Sequence, residues 1–510
     1  PVFAWLVLFA AFFGLVRLVD AAVHGQRAGW PRLRRAFAVG WLFGFGYCVT
    51  GLYWISASLF VEPDKFLWLL PFSASLIPAG LAVFYALGVA AAATQWRRGA
   101  GRIVLLALAL TLTEWLRGHV LTGLPWNILG YALTAPPLLM QSAALVGTYA
   151  LTFFSVLIFA LPTACLDDGV DTRARLLCGV APVLALGLLG LHGAYRLSLP
   201  EPPAAPGVRL RLVQPNVSQD VKWRHENRES IFLRYLDLSR RNPKGDNDAL
   251  AGITHVVWPE SAIPFLLLDS EPALQAIAGL LPDGAQLITG AIRLEQIKPI
   301  AGGAPQRRMF NSILALDDRA RLTGVYDKLH LVPFGEYLPL QKLLESVGLQ
   351  QLTRLQGGFA TGSPGARTLQ LPGLPAMAPL VCYEVIFPDE VVTAGARPGF
   401  FLNVTNDGWF GRTAGPHQHF HQARVRAVEQ GLPLIRVANT GISGVIDARG
   451  RVLQQAGLGR EAVIDTLLPG SDLPTIYSRY GEWLLLLVVA SGIVVWYAVD
   501  QITSLGRSGR

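Results

Sequence analysis

Residues 375–388 read PAMAPLVCYEVIFP. A short apolar run that stops at Cys382, Tyr383 and Glu384 has the pattern of a buried strand ending in reactive side chains. HVVWPES (255–261) repeats the pattern and ends in Glu260. RLRLVQPN (209–216), AQLITGAI (285–292), NSILALD (311–317) and GFFLNVTND (399–407) are further runs of this kind, each closed by polar or turn-forming residues. Helical stretches are predicted between several of them, at 224–241 and 416–430. This alternation predicts an α/β layered domain. No internal repeat is evident.

Outward from that domain the composition changes. The 510-residue chain is only 15% charged and 52% hydrophobic, against about 25% charged in soluble domains. Its mean hydropathy is +0.40. These figures exclude a disordered chain, a collagen and a disulfide scaffold. Before position 200 the acidic residues are Asp20, Glu62, Asp64, Glu114, Asp167, Asp168 and Asp171, seven of the 35 in the chain. Apolar runs long enough to cross a bilayer fall at about 2–19, 36–60, 66–95, 102–117, 138–164, 174–198 and 483–499. The run at 102–117 is the weakest, because it is short and holds Glu114. Loops 24–35 and 96–102 are basic, whereas 61–65 and 118–137 are not. That alternation places the basic loops in the cytoplasm. Pro1 and the polar domain then share the opposite face, and the last span returns the tail to the cytoplasm. The chain starts at Pro1 with no Met, so a further apolar segment ahead of it stays an open expectation. The expected organisation is a membrane domain over 1–199, a Pro-rich linker at 200–207 (PEPPAAPG), a catalytic domain over 208–481 and a final span with its tail over 482–510.

The net charge of +8 reads as topology rather than as nucleic-acid binding. Only six basic residues are lysines: Lys65, Lys222, Lys244, Lys298, Lys328 and Lys342. Of the four cysteines, Cys48, Cys165 and Cys178 sit in apolar sequence and Cys382 alone lies in the polar part. A disulfide within that part is therefore excluded, and the chain has no CxxC pair. Cys382 is either a small core residue or a nucleophile, and a nucleophile needs a base or a cation beside it. Glu260 is the candidate base, since apolar neighbours raise a carboxyl pKa; the alternative is a solvated strand end. Lys328, in YDKLHLVPFGEYLP (326–339), is the candidate cation; the alternative is a surface lysine. Glu114 and Arg117 are either functional at membrane depth or a pair near the interface. His417, His419 and His421 would align for a metal on a strand but not on the helix predicted there. No metal and no cofactor is expected. Thr440 to Gly444 lacks the GxSxG pattern of serine hydrolases and is expected to form a turn near the site.

The order WPES, YDKLHLVPFGEYLP, VCYE resembles the Glu–Lys–Cys arrangement of the nitrilase or carbon–nitrogen hydrolase superfamily. Within it, the chain resembles the apolipoprotein N-acyltransferase family over nearly its whole length. EWLRGHVLTGLPWNILGY (114–131), VQPNVSQDVKW (213–223), VVWPESAIP (256–264), NVTNDGWFG (403–411) and GPHQHFHQARVRAVEQGLPLIRVANTGISGVID (415–447) carry the resemblance. It implies a polytopic helical membrane domain joined to an extracytoplasmic αββα sandwich. It implies Glu260 as general base, Lys328 as oxyanion stabiliser and Cys382 as acylated nucleophile. Glu336 resembles the family's additional essential acid. Tyr383, Glu384 and Trp223 match further positions needed for activity. Trp223 is read either as a flap over lipid chains or as a helix-face anchor.

The implied reaction is ping-pong transfer of an acyl chain from phospholipid, phosphatidylethanolamine by resemblance, through a Cys382 thioester. The acceptor is the α-amine of the diacylglyceryl-cysteine that begins an apolipoprotein. A monomer in the bacterial inner membrane, with its catalytic domain periplasmic and no nucleic-acid partner, is expected. PLQKLLESVGLQQL (339–352) is read as a lid dipping into lipid or as a packed amphipathic helix. The rival readings are a membrane-tethered amidase with the same triad and a scaffold with a dead nitrilase domain.

Overall fold

The computed structural model describes residues 3–26, 29–168, 170–241, 250–297, 306–346, 352, 358–363, 365, 367–392 and 395–508. By internal packing the chain forms two units. One is Pro1–Pro200 with Val428–Gly431 and Leu473–Arg510; the other is Glu201–Ala427 with Leu432–Asp472.

Among the described residues the first unit holds seven helices long and apolar enough to cross a membrane: Ala4–Val23, Trp30–Phe60, Pro63–Ala93, Ala100–Thr122, Ala143–Leu166, Thr172–Ser198 and Trp483–Gln501. Each overlaps one of the seven runs expected from hydropathy. Even the weak run at 102–117 is a full span, because its polar side chains are paired inside the bundle. Glu114 and Arg117 are both buried. Glu114 accepts hydrogen bonds from the Tyr85 hydroxyl (2.8 Å), the Thr152 hydroxyl (2.8 Å) and the Leu129 amide (3.0 Å). Arg117 donates to the carbonyls of Leu124 (2.7 Å) and Trp126 (2.8 Å). The pair therefore fastens residues 124–129 to the bundle.

A second group explains three more acids of this acid-poor region. The buried Arg102 guanidinium donates to Asp167 at 2.9 Å and to Asp20 at 3.2 Å. The Trp96 indole N–H donates to Asp20 at 2.8 Å, and Arg98 meets Asp168 at 3.2 Å. Buried charges this deep in apolar surroundings persist when paired. These contacts gather the chain ends near 20, 96–102 and 167 on one face of the unit.

The second unit is built on two sheets. The strands are β1 (Arg209–Gln214), β2 (His255–Trp258), β3 (Gln286–Ile297), β4 (Gln306–Leu316), β5 (Leu322–Asp327), β6 (Met377–Val381), β7 (Phe400–Thr405), β8 (Leu434–Ala438), β9 (Ser443–Ile446), β10 (Val452–Ala456) and β11 (Ala462–Leu467). One sheet has the order β11-β1-β2-β3-β4-β5 and the other β10-β9-β8-β7-β6. Strands β1, β2 and β3 run parallel, as do β6, β7 and β8, and antiparallel strands extend each group.

The inner faces of the two sheets share one apolar layer, with Leu212, Val257, Ile288 and Ile313 in the same cluster as Val381, Leu402, Val404 and Val437. The outer face of the first sheet packs Val256, Trp258 and Leu287 under the helices Arg228–Arg240 and Glu271–Ala278, through Ile231, Tyr235 and Ile277. Each fully buried Leu, Ile or Val contributes about 1.5–3 kcal/mol, so these layers fix the strand ends rigidly. The helix Gly415–Gln430 follows β7, as the sequence predicts over 416–430. Parallel strands buried on both faces present their carboxyl ends together, where such sheets gather chemistry. Glu260 follows β2, Cys382 follows β6 and Asp407 follows β7.

Candidate active site

Two turns set the site. After β2 the chain bends through Pro259 and Glu260 into Ser261, which has φ of +44°. The Ala262 amide donates to the Gly290 carbonyl at 2.8 Å, and the Gly290 amide donates to Pro259 O at 3.2 Å. A Cβ at Gly290 would stand 2.5 Å from the Glu260 Cα. Glycine at 290 is therefore what lets the Glu260 backbone lie against β3. After β6, Cys382 itself has φ of +50°, a left-handed conformation unusual for a residue with a side chain.

The cysteine's strained peptide is pinned from below. Its carbonyl accepts from the Asn403 amide at 3.4 Å and faces His419 Nε2 at 3.1 Å. His419 Nδ1 lies 2.9 Å from Asp407, and Asp407 is ion-paired with Arg436 at 2.9 Å. All of these side chains are buried. Burial works against the Asp407 carboxylate, but Arg436 and His419 outweigh it and hold its pKa below the usual range. Burial and then Arg436 push His419 toward its neutral form, with Asp407 opposing.

Above the turn, the buried Lys328 ammonium lies 2.9 Å from Glu336 Oε2 and 3.9 Å from Glu260 Oε1. Asn311 bridges the two acids: its side-chain amide donates to Glu260 at 2.8 Å and to Glu336 at 2.9 Å. The Val332 amide donates to the other oxygen of Glu336 at 2.8 Å. Burial disfavours the Lys328 charge, yet Glu336, then Glu260, outweigh it and raise its pKa above the usual lysine value. Burial raises the Glu260 pKa, Lys328 opposes it, and Glu336 raises it further; the net shift is upward. Burial, then Glu260, pushes the Cys382 thiol well above its usual value, with Lys328 opposing. A buried thiol whose proton is held tightly therefore stands in the field of a buried carboxyl whose own proton affinity is raised.

Glu384 is fully buried, and its oxygens are taken up by four donors. Oε2 accepts from the Val381 amide at 2.8 Å. Oε1 accepts from the Tyr326 hydroxyl at 2.8 Å, the Leu329 amide at 2.9 Å and the His330 amide at 3.2 Å. It ties the Cys382 turn to the segment that carries Lys328. Tyr383 packs edge-on against His330 and Phe387. Trp223, 43% exposed, caps the short helix Gln219–Lys222. Its ring faces Lys222 Nζ at 5.6 Å.

The three histidines of HxHxH separate as a helix requires. His417 is exposed, His419 is buried and His421 is intermediate. Cys382, Asp407 and His419 do bring ligand-type atoms within 4.8 Å of one another, but the Arg436 guanidinium already supplies the positive charge at Asp407. The Asp407 amide donates to the Thr440 carbonyl at 2.8 Å, which sets the 440–444 turn against this group. In the segment 339–352, Leu340 and Leu343 are 76% and 61% exposed; residues 347–351 lie outside the described residues.

Sequence reasoning overlooked Asn311 and Lys222. Asn311 opens NSILALD, where a polar residue at a strand start has no special signal. Lys222 sits in a polar stretch that reads as surface, although it is fully buried with Nζ 3.4 Å from the Glu260 carbonyl.

The carbon–nitrogen hydrolase family profile matches residues 209–474, and that of the apolipoprotein N-acyltransferase N-terminal domain matches residues 1–161. Curated relatives named apolipoprotein N-acyltransferase align over nearly the full chain. The one from Rhodopseudomonas palustris is 47% identical, covering 96% of this chain and 90% of the relative. That from Bradyrhizobium diazoefficiens is 46% identical over the same shares. That from Allorhizobium ampelinum is 44% identical, covering 97% of this chain and 92% of the relative.

Proposed function

The chain belongs to the apolipoprotein N-acyltransferase family, and from that membership we propose how it moves an acyl chain from phospholipid to the N-terminal diacylglyceryl-cysteine of a lipoprotein. It is a multi-pass membrane enzyme. The observation that carries the mechanism is a buried Lys328 held between Glu260 and Glu336, next to a cysteine in a strained left-handed turn.

Glu260 takes the proton of the Cys382 thiol, and the thiolate adds to the sn-1 ester carbonyl of phosphatidylethanolamine. The Lys328 ammonium faces the oxyanion, where a preorganised donor is worth most in a dry site. The C–O bond breaks, Glu260 returns the proton to the departing lysophospholipid, and a thioester stays on Cys382. In the second half the substrate α-amine attacks that thioester. Its ordinary pKa of ~7.7–8.0 leaves a useful neutral fraction near neutrality. The C–S bond breaks and the amine's proton returns to sulfur by way of Glu260.

Glu336 keeps Lys328 charged and oriented. Glu384 and Tyr383 hold the turn, and Trp223 covers the lipid chains. No cofactor or metal enters these steps. Both substrates are lipids, so a site served from the bilayer supplies them directly and limits hydrolysis of the thioester. The loop alternation supports residues 208–481 on the non-cytoplasmic side, which for a bacterial inner membrane is the periplasm.

Incubation with acyl-labelled phosphatidylethanolamine and a diacylated lipopeptide tests the reading. Label should pass to the lipopeptide amine and a soluble amide should not be turned over; release as free fatty acid would favour a hydrolase. Lys328→Arg should abolish transfer, because a planar, wider guanidinium cannot replace a point ammonium wedged between two acids. Retained transfer would leave Lys328 a structural residue only.

A further inference from the structure

Among the described residues Lys222 is the second buried lysine, in a chain that uses arginine for nearly all its positive charge. Lysine is almost never fully buried unless paired. This one carries three N–H donors. Among the described residues its nearest partners are the Glu260 carbonyl, at 3.4 Å, and the face of Trp223, at 5.6 Å. One long hydrogen bond and one aromatic face do not offset the cost of desolvating an ammonium. The remaining compensation is charge.

The buried acids that contact Lys328 are Glu336 and Glu260, joined through Asn311; Glu384 is buried as well, but its oxygens are taken up by four uncharged donors. The groups facing Glu260 are Lys328, Glu336, Asn311, Lys222 and the Cys382 thiol. With Lys328 alone, two carboxylates share one ammonium, and one of them would be driven to hold a proton. With Lys222 the count is two against two, and both acids can be ionised. A base must be ionised before it can take the thiol proton.

We propose that Lys222 is a positioning residue for acyl transfer: its buried ammonium latches the Trp223 turn onto the end of β2 and keeps Glu260 in its carboxylate form. This rests on Glu260 being the base that activates Cys382. Burial, opposed by Glu260, pulls the Lys222 pKa down to about 8. Its charge is therefore present at neutral pH and lost in mildly alkaline solution.

The sign follows. Removing the Lys222 charge raises the Glu260 pKa, so the acid limb of the acylation profile moves to higher pH. Above about pH 8 the wild-type Lys222 is itself neutral, and the two profiles should converge there.

The test uses the full-length enzyme in nanodiscs and follows single-turnover acylation of Cys382 from labelled phospholipid between pH 5.5 and 9. Lys222→Met is expected to move the acid limb upward by less than about one pH unit, because Lys222 acts on Glu260 more weakly than Lys328, Glu336 or Asn311 does. That is a loss of up to about tenfold on the acid side, fading above about pH 8. Lys222→Arg should leave the limb in place. An equal loss at every pH, or no change at all, would overturn the proposal, since a space-filling role has no pH signature. If Lys222→Met fails to fold, Lys222→Gln serves the same comparison. Absence of any Cys382 thioester in the wild type would instead refute the nucleophile and base assignment itself.

Discussion

Replacing Glu336 by glutamine isolates what the second acid does. Glu336 lies 2.9 Å from the Lys328 ammonium. At that distance and an effective dielectric of ~20, the attraction has an upper bound of about 5–6 kcal/mol. Glutamine keeps one acceptor oxygen, for Lys328 and the Val332 amide, but turns an NH2 toward the Asn311 amide, so the Asn311 hydrogen bond is lost together with the charge. Two shifts follow. Burial is the strongest influence on Lys328 and acts against its charge, with Glu336 the next strongest and acting for it; its pKa must fall. Glu336 also raises the Glu260 pKa, so Glu260 becomes a weaker base. Both weaken formation of the thioester. We expect Cys382 acylation to slow about 100-fold, roughly 2.7 kcal/mol, in the range for losing one oxyanion donor. The loss should deepen as pH rises, because the variant Lys328 loses its proton earlier. The assay is single-turnover transfer of labelled acyl chain to the enzyme across pH 6–9, with the thermal midpoint as a folding control. A variant within about twofold of wild type, or one whose loss is flat with pH, would refute the claim that Glu336 acts by charging Lys328.

Three further outcomes follow from the geometry. Gly290→Ala places a methyl group against the Glu260 backbone and should cost about 1–3 kcal/mol of domain stability, with acylation lost well below the melting temperature; normal activity would mean the β2 turn tolerates displacement. Glu384→Ala leaves four donors without their acceptor. It should lower the catalytic domain's stability by about 3–5 kcal/mol, as for breaking a buried charged network, read by denaturant unfolding; an unchanged midpoint would contradict its role as a tie. Asn311→Leu removes the bridge between Glu260 and Glu336 and should shift the pH profile of acylation as well as its rate, whereas a pure change in phospholipid affinity would assign Asn311 elsewhere.

The membrane spans were legible because hydropathy over some 20 residues is a strong signal. Their polar residues were less so. Nothing in EWLRG says that Glu114 and Arg117 face inward to hold residues 124–129, since that depends on contacts from Tyr85 and Thr152 far along the chain. In the catalytic unit, strands ending in reactive residues were readable. β5, β10 and β11 were not, because they are half exposed and carry Gly, Gln or Asp. β8 and β9 are buried but stand close together in one apolar stretch. Glu260, Lys328 and Cys382 follow the strand ends β2, β5 and β6, and Glu336 reaches Lys328 from the loop after β5. The support beneath them, namely Asn311, Asn403, Asp407, Arg436 and Lys222, is set by tertiary contacts and has no local pattern. Lysine scarcity was the one usable hint. It pointed to Lys328, and it applies equally to Lys222.

The central claim is that Cys382 carries the acyl chain between two lipid substrates. Intact-mass measurement after incubation with phosphatidylethanolamine tests it directly. A single acyl adduct on Cys382 is expected, labile to hydroxylamine, absent from Cys382→Ala and discharged by added diacylated lipopeptide with amide formation. Lipopeptide acylation that persists in Cys382→Ala, or an adduct on another residue, would contradict it.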